Sequence, residues 1–306
     1  MGPELKVLIL SPDQITLAAE LLQKGELVAF PTETVYGLAA PIFNPVTISK
    51  IYLAKGRPSD NPLIAHIATL DQIDQIARDI PPEFYLLAEK FFPGPLTIVL
   101  KKRPSVPAIV SGGLDTIAVR MPRHPIARQL ILAVGQPLVA PSANLSGKPS
   151  STTAQHVAAD FEGKIGAVID GGATEFGIES TVVSLVSTPC LLRWGAVGKE
   201  EIEAVLGKPL AAATSSDMLA SPGTRYRHYA PEAKIKLFTN QSEMDSYLKT
   251  APSLRRQIMH EITASNLYAL LRQADDEKME EIVIFCSTQI LQNRALMDRL
   301  QKASMH

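Results

Sequence analysis

The chain has 306 residues, of which 46% are hydrophobic, and it carries 30 Lys and Arg against 31 Asp and Glu, a net charge of −1. This length predicts two domains, and a charge so close to neutral argues against binding nucleic acid through bulk electrostatics. The apolar runs are too short to cross a membrane and the first residues lack a secretion signal, so we expect a cytoplasmic protein without membrane contact. Both cysteines, Cys190 and Cys286, lie in apolar runs and are expected to be buried free thiols, and no His/Cys spacing indicates a zinc site.

Strands and helices interleave in the first two thirds of the chain. Strands are predicted over residues 7–10, 27–30, 63–67, 96–101, 116–121, 138–140, 167–170, 181–186 and 190–194. Helices are predicted over residues 12–24, 45–54, 71–77, 82–91, 125–134, 153–161 and 199–206. Because several strands follow one another with no helix between them, the pattern predicts an α/β fold with a mixed parallel and antiparallel sheet.

The composition changes after residue 210. Residues 211–220 are small and polar, as in a linker, whereas residues 221–231 (SPGTRYRHYAP) contain more Tyr, Arg and Pro than a passive linker needs. Beyond them, strands are predicted over residues 234–238 and 281–286, and helices over residues 241–249, 253–273 and 288–303. We therefore predict a first domain over residues 1–210, a linker over residues 211–231 and a small C-terminal α/β domain over residues 232–306.

Polar side chains cluster where the early strands end, in residues 30–38 (FPTETVYGL) and 55–66 (KGRPSDNPLIAH). Lys55 and Arg57 lie two residues apart in a loop stiffened by prolines, and such a pair of cations suits phosphates. The alternative is a solvated basic loop. Since no Walker-type loop is present, a nucleotide would be bound by side chains from many loops. The candidates are Lys55, Arg57, Asn61, Ser142, Asn144, Ser150 and Arg193.

A second group of residues suits a free amino acid. Arg120 lies on an apolar strand, where a charge is costly unless it is paired, and the carboxylate of an amino acid would pair with it. An internal ion pair with Asp115 or Glu179 is the alternative. Hydroxyl and imidazole contacts could come from Thr34, His66 and Ser180. No nucleophile–base pair typical of covalent catalysis is apparent.

These segments resemble the threonylcarbamoyl-AMP synthase family, the YrdC-like enzymes of tRNA modification. The resemblance continues in the same order through residues 92–97 (FPGPLT), 117–122 (IAVRMP), 140–147 (APSANLSG), 169–172 (IDGG), 179–182 (ESTV) and 192–195 (LRWG). Residues 221–231 look like the linker of the long, two-domain form of the family. The C-terminal domain of that form is usually a larger Rossmann-like unit, so here it is expected to be shortened.

The resemblance implies a twisted mixed sheet with a large concave face, and a nucleotidyltransferase that makes threonylcarbamoyl-AMP and pyrophosphate from L-threonine, bicarbonate and ATP with Mg²⁺. It implies that the product goes to a downstream threonylcarbamoyl-transferase complex, for the N6-threonylcarbamoyladenosine modification of tRNAs that read codons beginning with A. Threonine would be bound by Thr34, His66, Arg120, the backbone of Ala140, and Ser180. ATP would be bound by Arg57, Asn61, Thr116, Ser142, Asn144, Ser150, Arg193 and Tyr229. Lys55 and Arg57 would be the catalytic residues, with no metal ligand supplied by the protein.

The implied reaction needs no enzymic base, because a carbamate is already an anion. The site must instead provide alignment, neutralise charge and exclude water. We therefore expect residues 221–231 to act as a lid over the cleft, with Tyr229 reaching the nucleotide. Three alternatives stay open: an RNA-binding module with the same fold, a carbamoyl transferase, and a regulatory protein that binds threonine or nucleotide without turnover. Near-neutral charge argues against the first, and the few cysteines argue against the second.

Overall fold

The computed structural model describes residues 6–221 and 229–305. Its strands are β1 (Leu8–Leu10), β2 (Val28–Phe30), β3 (Gly37–Pro41), β4 (Ile64–His66), β5 (Ala77–Arg78), β6 (Leu96–Lys102), β7 (Thr116–Arg120), β8 (Leu138–Val139), β9 (Ala167–Ile169), β10 (Thr181–Ser184), β11 (Cys190–Arg193), β12 (Lys234–Phe238), β13 (Arg256–Met259) and β14 (Glu281–Phe285). Its helices are α1 (Ile15–Gln23), α2 (Pro45–Lys55), α3 (Ile73–Ile76), α4 (Pro82–Phe91), α5 (Pro125–Val134), α6 (Ala154–Phe161), α7 (Lys199–Leu206), α8 (Ser215–Met218), α9 (Gln241–Thr250), α10 (Leu267–Asp276), α11 (Thr288–Gln292) and α12 (Arg294–Ser304). Short 3₁₀ turns cover Pro12–Gln14, Leu70–Gln72 and Ala108–Ser111.

The first eleven strands form one sheet in the order β1-β9-β2-β3-β8-β4-β7-β6-β10-β11, with β5 added beside β6. Strand β4 runs parallel to β7 and antiparallel to β8, while β6 runs antiparallel to β7 and parallel to β10. The predicted mixed α/β sheet is therefore confirmed. Because β4 pairs with β7 on one side and with β8 on the other, the carboxyl ends of β4 and β7 lie beside the start of β8.

Successive side chains of a strand point to opposite faces of the sheet, so the buried apolar residues form a cluster on each face. Val28 and Phe30 of β2 belong to a cluster that includes Leu22 of α1 and Leu130 of α5. Ala29, between them, belongs to the larger cluster on the other face, with side chains of α2, α4 and α6. Strand β2 is thus packed on both faces. This packing fixes the point at which β2 ends and residues 31–36 begin.

Strand β3 was not predicted. It is made of small residues and pairs antiparallel with β2 and with β8. A Cβ atom at Gly37 would lie 3.1 Å from the ring of Phe30 and 3.2 Å from Ala140 Cβ, so a larger residue would crowd both neighbours and glycine suits this close approach. Its Gly-Leu-Ala-Ala-Pro sequence lacks the β-branched residues that usually mark a strand.

The C-terminal sheet has three parallel strands in the order β12-β14-β13. The predicted helix over residues 253–273 is wrong, because residues 256–259 form β13 and the helix begins only at Leu267. Strand β13 is a half-exposed edge strand with polar Arg256 and Gln257, so it lacks the apolar run that marks a buried strand. The single last helix is also wrong: it breaks at Asn293, whose side chain accepts from the Leu296 N–H (3.0 Å) and caps α12.

The chain passes from the first sheet to the second through a segment that contains α7 and α8. The domain boundaries at residues 210 and 231 stay a prediction. Most of the predicted lid, residues 222–228, lies outside the described residues. Cys190 and Cys286 are free and buried, as expected. None of the helices in residues 6–221 and 229–305 is both long enough and apolar enough to cross a bilayer.

Candidate active site

One cleft opens where the central strands end, and it encloses about 740 Å³ including its mouth. The predicted residues on its wall are Thr34, Lys55, Arg57, His66, Arg120, Ala140, Ser142, Asn144, Ser150, Ser180, Arg193 and Tyr229. Two predicted residues are not on the wall: Asn61 is buried behind Arg57, whose Nε donates to the Asn61 carbonyl (3.4 Å), and Thr116 begins β7, opposite Lys101.

Arg120 is held rigidly at the end of β7. Its Nε donates to the Gly94 carbonyl (3.2 Å) and its Nη1 to Thr34 Oγ1 (2.7 Å). Its Nη2 lies 2.6 Å from Glu33 Oε1, although these two atoms lack the alignment of a hydrogen bond. The ion pair is thus with Glu33, and neither of the partners considered from the sequence applies: Asp115 pairs with Arg78 and Glu179 with Arg299.

The carboxylate of Glu33 stays ionised beside Arg120. Burial would raise its pKa, but the charge of Arg120 and hydrogen bonds outweigh burial and lower the pKa below its ordinary value. Glu33 Oε2 also accepts from the Arg123 N–H (3.1 Å). A guanidinium has five N–H donors, so Arg120, which lines the cleft, has donors beyond those bound to Gly94 and Thr34 that could bind a second carboxylate.

His66 lies beside Arg120, because the two residues are register partners on the parallel strands β4 and β7. Burial, then the charge of Arg120, lowers the pKa of His66 to about 3, so its ring is neutral at pH 7. Its Nδ1 lies 3.2 Å from the Ile64 carbonyl and so carries the proton, which leaves Nε2 as an acceptor. Ala140 offers another acceptor, because its N–H is bound to Ile64 O (2.9 Å) and only its carbonyl is left.

The Thr34 hydroxyl has a fixed direction. Thr32 Oγ1 donates to the Val35 carbonyl (2.6 Å), so in its 2.9 Å contact with Thr34 it accepts. Thr34 therefore donates to Thr32 and accepts from Arg120. Ser180 lies across the cleft, where its Oγ accepts from Arg193 Nη2 (3.1 Å) and lies 2.7 Å from Thr97 Oγ1. This end of the cleft thus presents a cation, hydroxyls and two acceptors within a pocket of small residues.

The cations at the other end are only partly accessible, because Lys55 is buried and Arg57 is half-buried. Arg57 donates to the Pro62 carbonyl (3.0 Å), and burial lowers its pKa to about 10. Lys55, at the end of α2, donates to the carbonyls of Ser142 (2.5 Å) and Asn144. Burial, then the neighbouring Arg57, lowers the pKa of Lys55 well below its ordinary value. Lys55 therefore anchors the loop that carries Ser142 and Asn144, and at most one of its donors faces the cleft.

Glu179 is a functional candidate that sequence reasoning named only as a partner for Arg120. Its Oε1 accepts from the Ser150 hydroxyl (2.6 Å), and its Oε2 accepts from Tyr268 (2.9 Å) and from Arg299 Nε (2.8 Å). Burial would raise its pKa, but Arg299, Arg193 and these hydrogen bonds lower it to about 2. An ionised Glu179 cannot donate, so the proton of the Ser150 hydroxyl is committed to it.

Neither Tyr268 nor Arg299 was predicted. Arg299 lies on the apolar face of α12, with Ala295, Leu296 and Leu300. A charged residue at an apolar position of a helix is the sequence feature that could have identified it as a buried, paired arginine. In the described residues, no three His, Cys, Asp or Glu side chains are grouped as a metal site would need.

The fold and the cleft together define a class: an α/β protein in which one large mixed sheet carries, at its strand ends, a cleft lined by the cations Lys55, Arg57, Arg120 and Arg193. Two family models match the chain. The one described as telomere recombination, for Sua5, YciO and YrdC proteins, matches residues 20–195, and the one described as threonylcarbamoyl-AMP synthase, C-terminal domain, matches residues 197–305.

Individual relatives agree with these models. The threonylcarbamoyl-AMP synthase of Bacillus subtilis is 41% identical over 95% of this chain and 93% of its own, and that of Pyrococcus abyssi is 52% identical over 72% and 67%. The crystal structure of P. abyssi Sua5 complexed with L-threonine has a TM-score of 0.88 at 41% identity and covers 97% of both chains. E. coli YciO, 22% identical with a TM-score of 0.57 over 64% of this chain and 98% of its own, shares the fold. The chain belongs to the threonylcarbamoyl-AMP synthase family.

Proposed function

We propose that this chain makes L-threonylcarbamoyl-AMP and pyrophosphate from L-threonine, bicarbonate and ATP. The observation that carries the proposal is that one cleft contains both Arg120 with its neighbouring hydroxyls and acceptors and a second group of cations around Arg57. Membership of the threonylcarbamoyl-AMP synthase family supports it, as does the relative crystallised with L-threonine.

In this proposal the threonine carboxylate binds the free donors of Arg120, where the neighbouring Glu33 limits the pocket to one further anion. The threonine hydroxyl and nitrogen are left to the acceptors His66 Nε2 and Ala140 O and to the Ser180 hydroxyl. A site built from such groups rejects analogues without the hydroxyl, because its buried polar atoms would lose their partners. His66 is neutral, so it orients the substrate without adding a charge.

The free amine of threonine attacks the carbon of bicarbonate, so that a C–N bond forms, a C–O bond breaks and water leaves, which gives a carbamate. A carbamate oxygen then attacks the α-phosphorus of ATP. A new P–O bond forms, the bond between the α-phosphorus and its bridging oxygen breaks, and the electron pair leaves with pyrophosphate. Arg57 and Arg193 would neutralise part of the phosphate charge, and Mg²⁺ entering with ATP would supply further positive charge. Since burial raises the pKa of Tyr229 to about 12, its hydroxyl keeps a proton to donate to a phosphate oxygen.

The product would pass to a threonylcarbamoyl-transferring enzyme that modifies tRNA. The RNA-binding alternative is not favoured, because Lys55, Arg120 and Arg193 are at most 6% exposed and are unavailable to a nucleic-acid backbone. The test is pyrophosphate release with ATP, bicarbonate, Mg²⁺ and each candidate amino acid in turn. The proposal requires release only when L-threonine and bicarbonate are both present, and equal release after bicarbonate is rigorously excluded would contradict it.

A further inference from the structure

Three side chains of the C-terminal domain enter the first domain beneath the cleft. Tyr268 and Arg272 lie one turn apart on α10, and Arg299 extends from α12. Tyr268 and Arg299 are 0% exposed and Arg272 is 9% exposed, so all three are buried at the junction of the two sheets. Apart from Asp298 beside Arg299, their hydrogen-bond partners are residues of the first domain, and one of these, Glu179, lines the cleft.

The first contact runs through Glu179 to Ser150. Tyr268 and Arg299 both donate to the Glu179 carboxylate, at 2.9 and 2.8 Å, and the same carboxylate accepts the Ser150 proton at 2.6 Å. With its only proton committed, the Ser150 hydroxyl faces the cleft as an acceptor. Phosphate oxygens are acceptors too, so Ser150 suits a ribose hydroxyl or a base amino group rather than the phosphates.

The second contact grips the chain on both sides of Ser150. Arg272 Nη2 donates to the Pro149 carbonyl (2.6 Å) and to Ser151 Oγ (3.1 Å). The same guanidinium is paired with Asp160 at 2.7 and 3.2 Å, which offsets the cost of burying its charge. The position of Ser150 is therefore fixed through its side chain by Tyr268 and Arg299, and through its neighbours by Arg272.

The third contact supports Tyr229, which also lines the cleft. The rings of Tyr229 and Tyr268 are stacked, with centroids 5.5 Å apart and planes 23° apart, and the Arg299 guanidinium lies 5.2 Å from the Tyr229 centroid. Tyr229 has a φ of +67°, a left-handed conformation that is costly for a bulky residue. Such a conformation persists where surrounding contacts hold it, and here they come from the C-terminal domain.

We propose that the C-terminal domain positions the nucleoside-binding part of the cleft, with Tyr268, Arg272 and Arg299 holding Ser150 and Tyr229 in place for ATP. The inference rests on the proposed function for the identity of the ligand. The Arg120 and His66 side of the threonine pocket lies outside this network, because within the described residues these two side chains make their polar contacts with Gly94, Thr34, Glu33 and Ile64, all of the first domain. The C-terminal domain should therefore affect ATP binding and leave threonine binding unchanged.

The chain offers a matched control for Tyr268. Within the C-terminal domain, Tyr247 donates to Glu281 (2.5 Å) and Arg256 pairs with the same carboxylate, so this triad repeats the Tyr268–Glu179–Arg299 arrangement away from the cleft. We expect Tyr268→Phe to raise the Kd of Mg²⁺–ATP, titrated without threonine, by about tenfold. The Kd of L-threonine should stay within about twofold, and Tyr247→Phe should change neither. An ATP Kd within about twofold of wild type in folded Tyr268→Phe would overturn the proposal.

Arg272→Lys is a second variant, in case Tyr268→Phe unfolds. A lysine keeps the charge near Asp160 but cannot reach all three partners, so the ATP Kd should again rise without a change in the threonine Kd. If the affinities for ATP and threonine and the melting temperature all fell together, the C-terminal domain would only stabilise the whole protein, and the proposal would be contradicted. These titrations involve no turnover. A wild-type protein that binds both ligands but releases no pyrophosphate would refute the proposed function alone.

Discussion

Replacing Glu33 with Gln tests whether the Glu33 carboxylate and the threonine carboxylate compete for Arg120. Glu33 and Arg120 form an ion pair in which both side chains are 4% exposed or less. Breaking a buried pair costs about 3–5 kcal/mol. We expect Glu33→Gln to fall near the lower limit, because the amide keeps the shape of the side chain and an oxygen for the Arg123 N–H.

Threonine binding should change in the opposite direction. A threonine carboxylate on the free donors of Arg120 would lie about 6 Å from Glu33, and at an effective dielectric constant of about 20 the repulsion is about 3 kcal/mol. Removing the Glu33 charge should therefore leave threonine bound at least as tightly, and up to about a hundredfold more tightly. Arg120→Ala should weaken threonine binding by about 2–5 kcal/mol and ATP binding much less.

Isothermal titration with L-threonine, together with urea unfolding, measures both effects. Glu175→Gln is the matched control, because Glu175 forms only an exposed pair with Arg123 and its loss should change stability by less than about 1 kcal/mol. If Glu33→Gln weakened threonine binding as much as Arg120→Ala does, Glu33 would be part of the threonine site and our account of the pocket would be refuted.

Three further predictions concern the remainder of the cleft. Lys55→Met should lower the free energy of unfolding by about 2–4 kcal/mol and weaken ATP binding, because the carbonyls of Ser142 and Asn144 lose their donor. Weaker ATP binding at an unchanged free energy of unfolding would instead indicate that Lys55 contacts a phosphate directly. Tyr229→Phe keeps the ring stacked on Tyr268 but removes the hydroxyl, so ATP affinity should fall about tenfold while threonine affinity holds; an equal loss for both ligands in titrations would count against a phosphate contact. The pKa of His66 is lowered from 6.5 to about 3, so between these pH values the unfolded chain takes up a proton that the folded chain does not. The contribution of the neutral His66 to the free energy of unfolding is therefore complete above pH 6.5 and is lost as the pH falls toward 3. Urea unfolding at several pH values should give a shallower decline for His66→Gln, and an unchanged decline would show that His66 is not the group responsible.

The sequence was sufficient for most of the wall of the cleft because polar residues follow apolar strands there. Thr34, His66 and Arg120 could be predicted to lie together once β2, β4 and β7 were recognised. The partner of Arg120 could not be predicted. Glu33 reaches it only because the turn after β2 faces the end of β7, a contact set by the packing of the whole sheet.

The contribution of the C-terminal domain was beyond the reach of sequence patterns. Tyr268 and Arg299 lie more than 80 residues from Glu179 along the chain, and their role depends on how two sheets are joined. Strand β13 was predicted as helix because an edge strand of a small sheet needs little apolar surface. The buried Arg on each of α10 and α12 was the one local sign that these helices have charged partners elsewhere.

The central claim is that one cleft joins threonine, bicarbonate and ATP into a single adenylate. Its most direct test is to supply carbon-13-labelled bicarbonate with L-threonine, ATP and Mg²⁺, and to identify the nucleotide product by mass spectrometry. The account predicts a threonylcarbamoyl-AMP that carries the labelled carbon, formed in equal amount with pyrophosphate. AMP and pyrophosphate appearing from the start with no labelled adenylate, under conditions where an authentic threonylcarbamoyl-AMP standard survives, would contradict it.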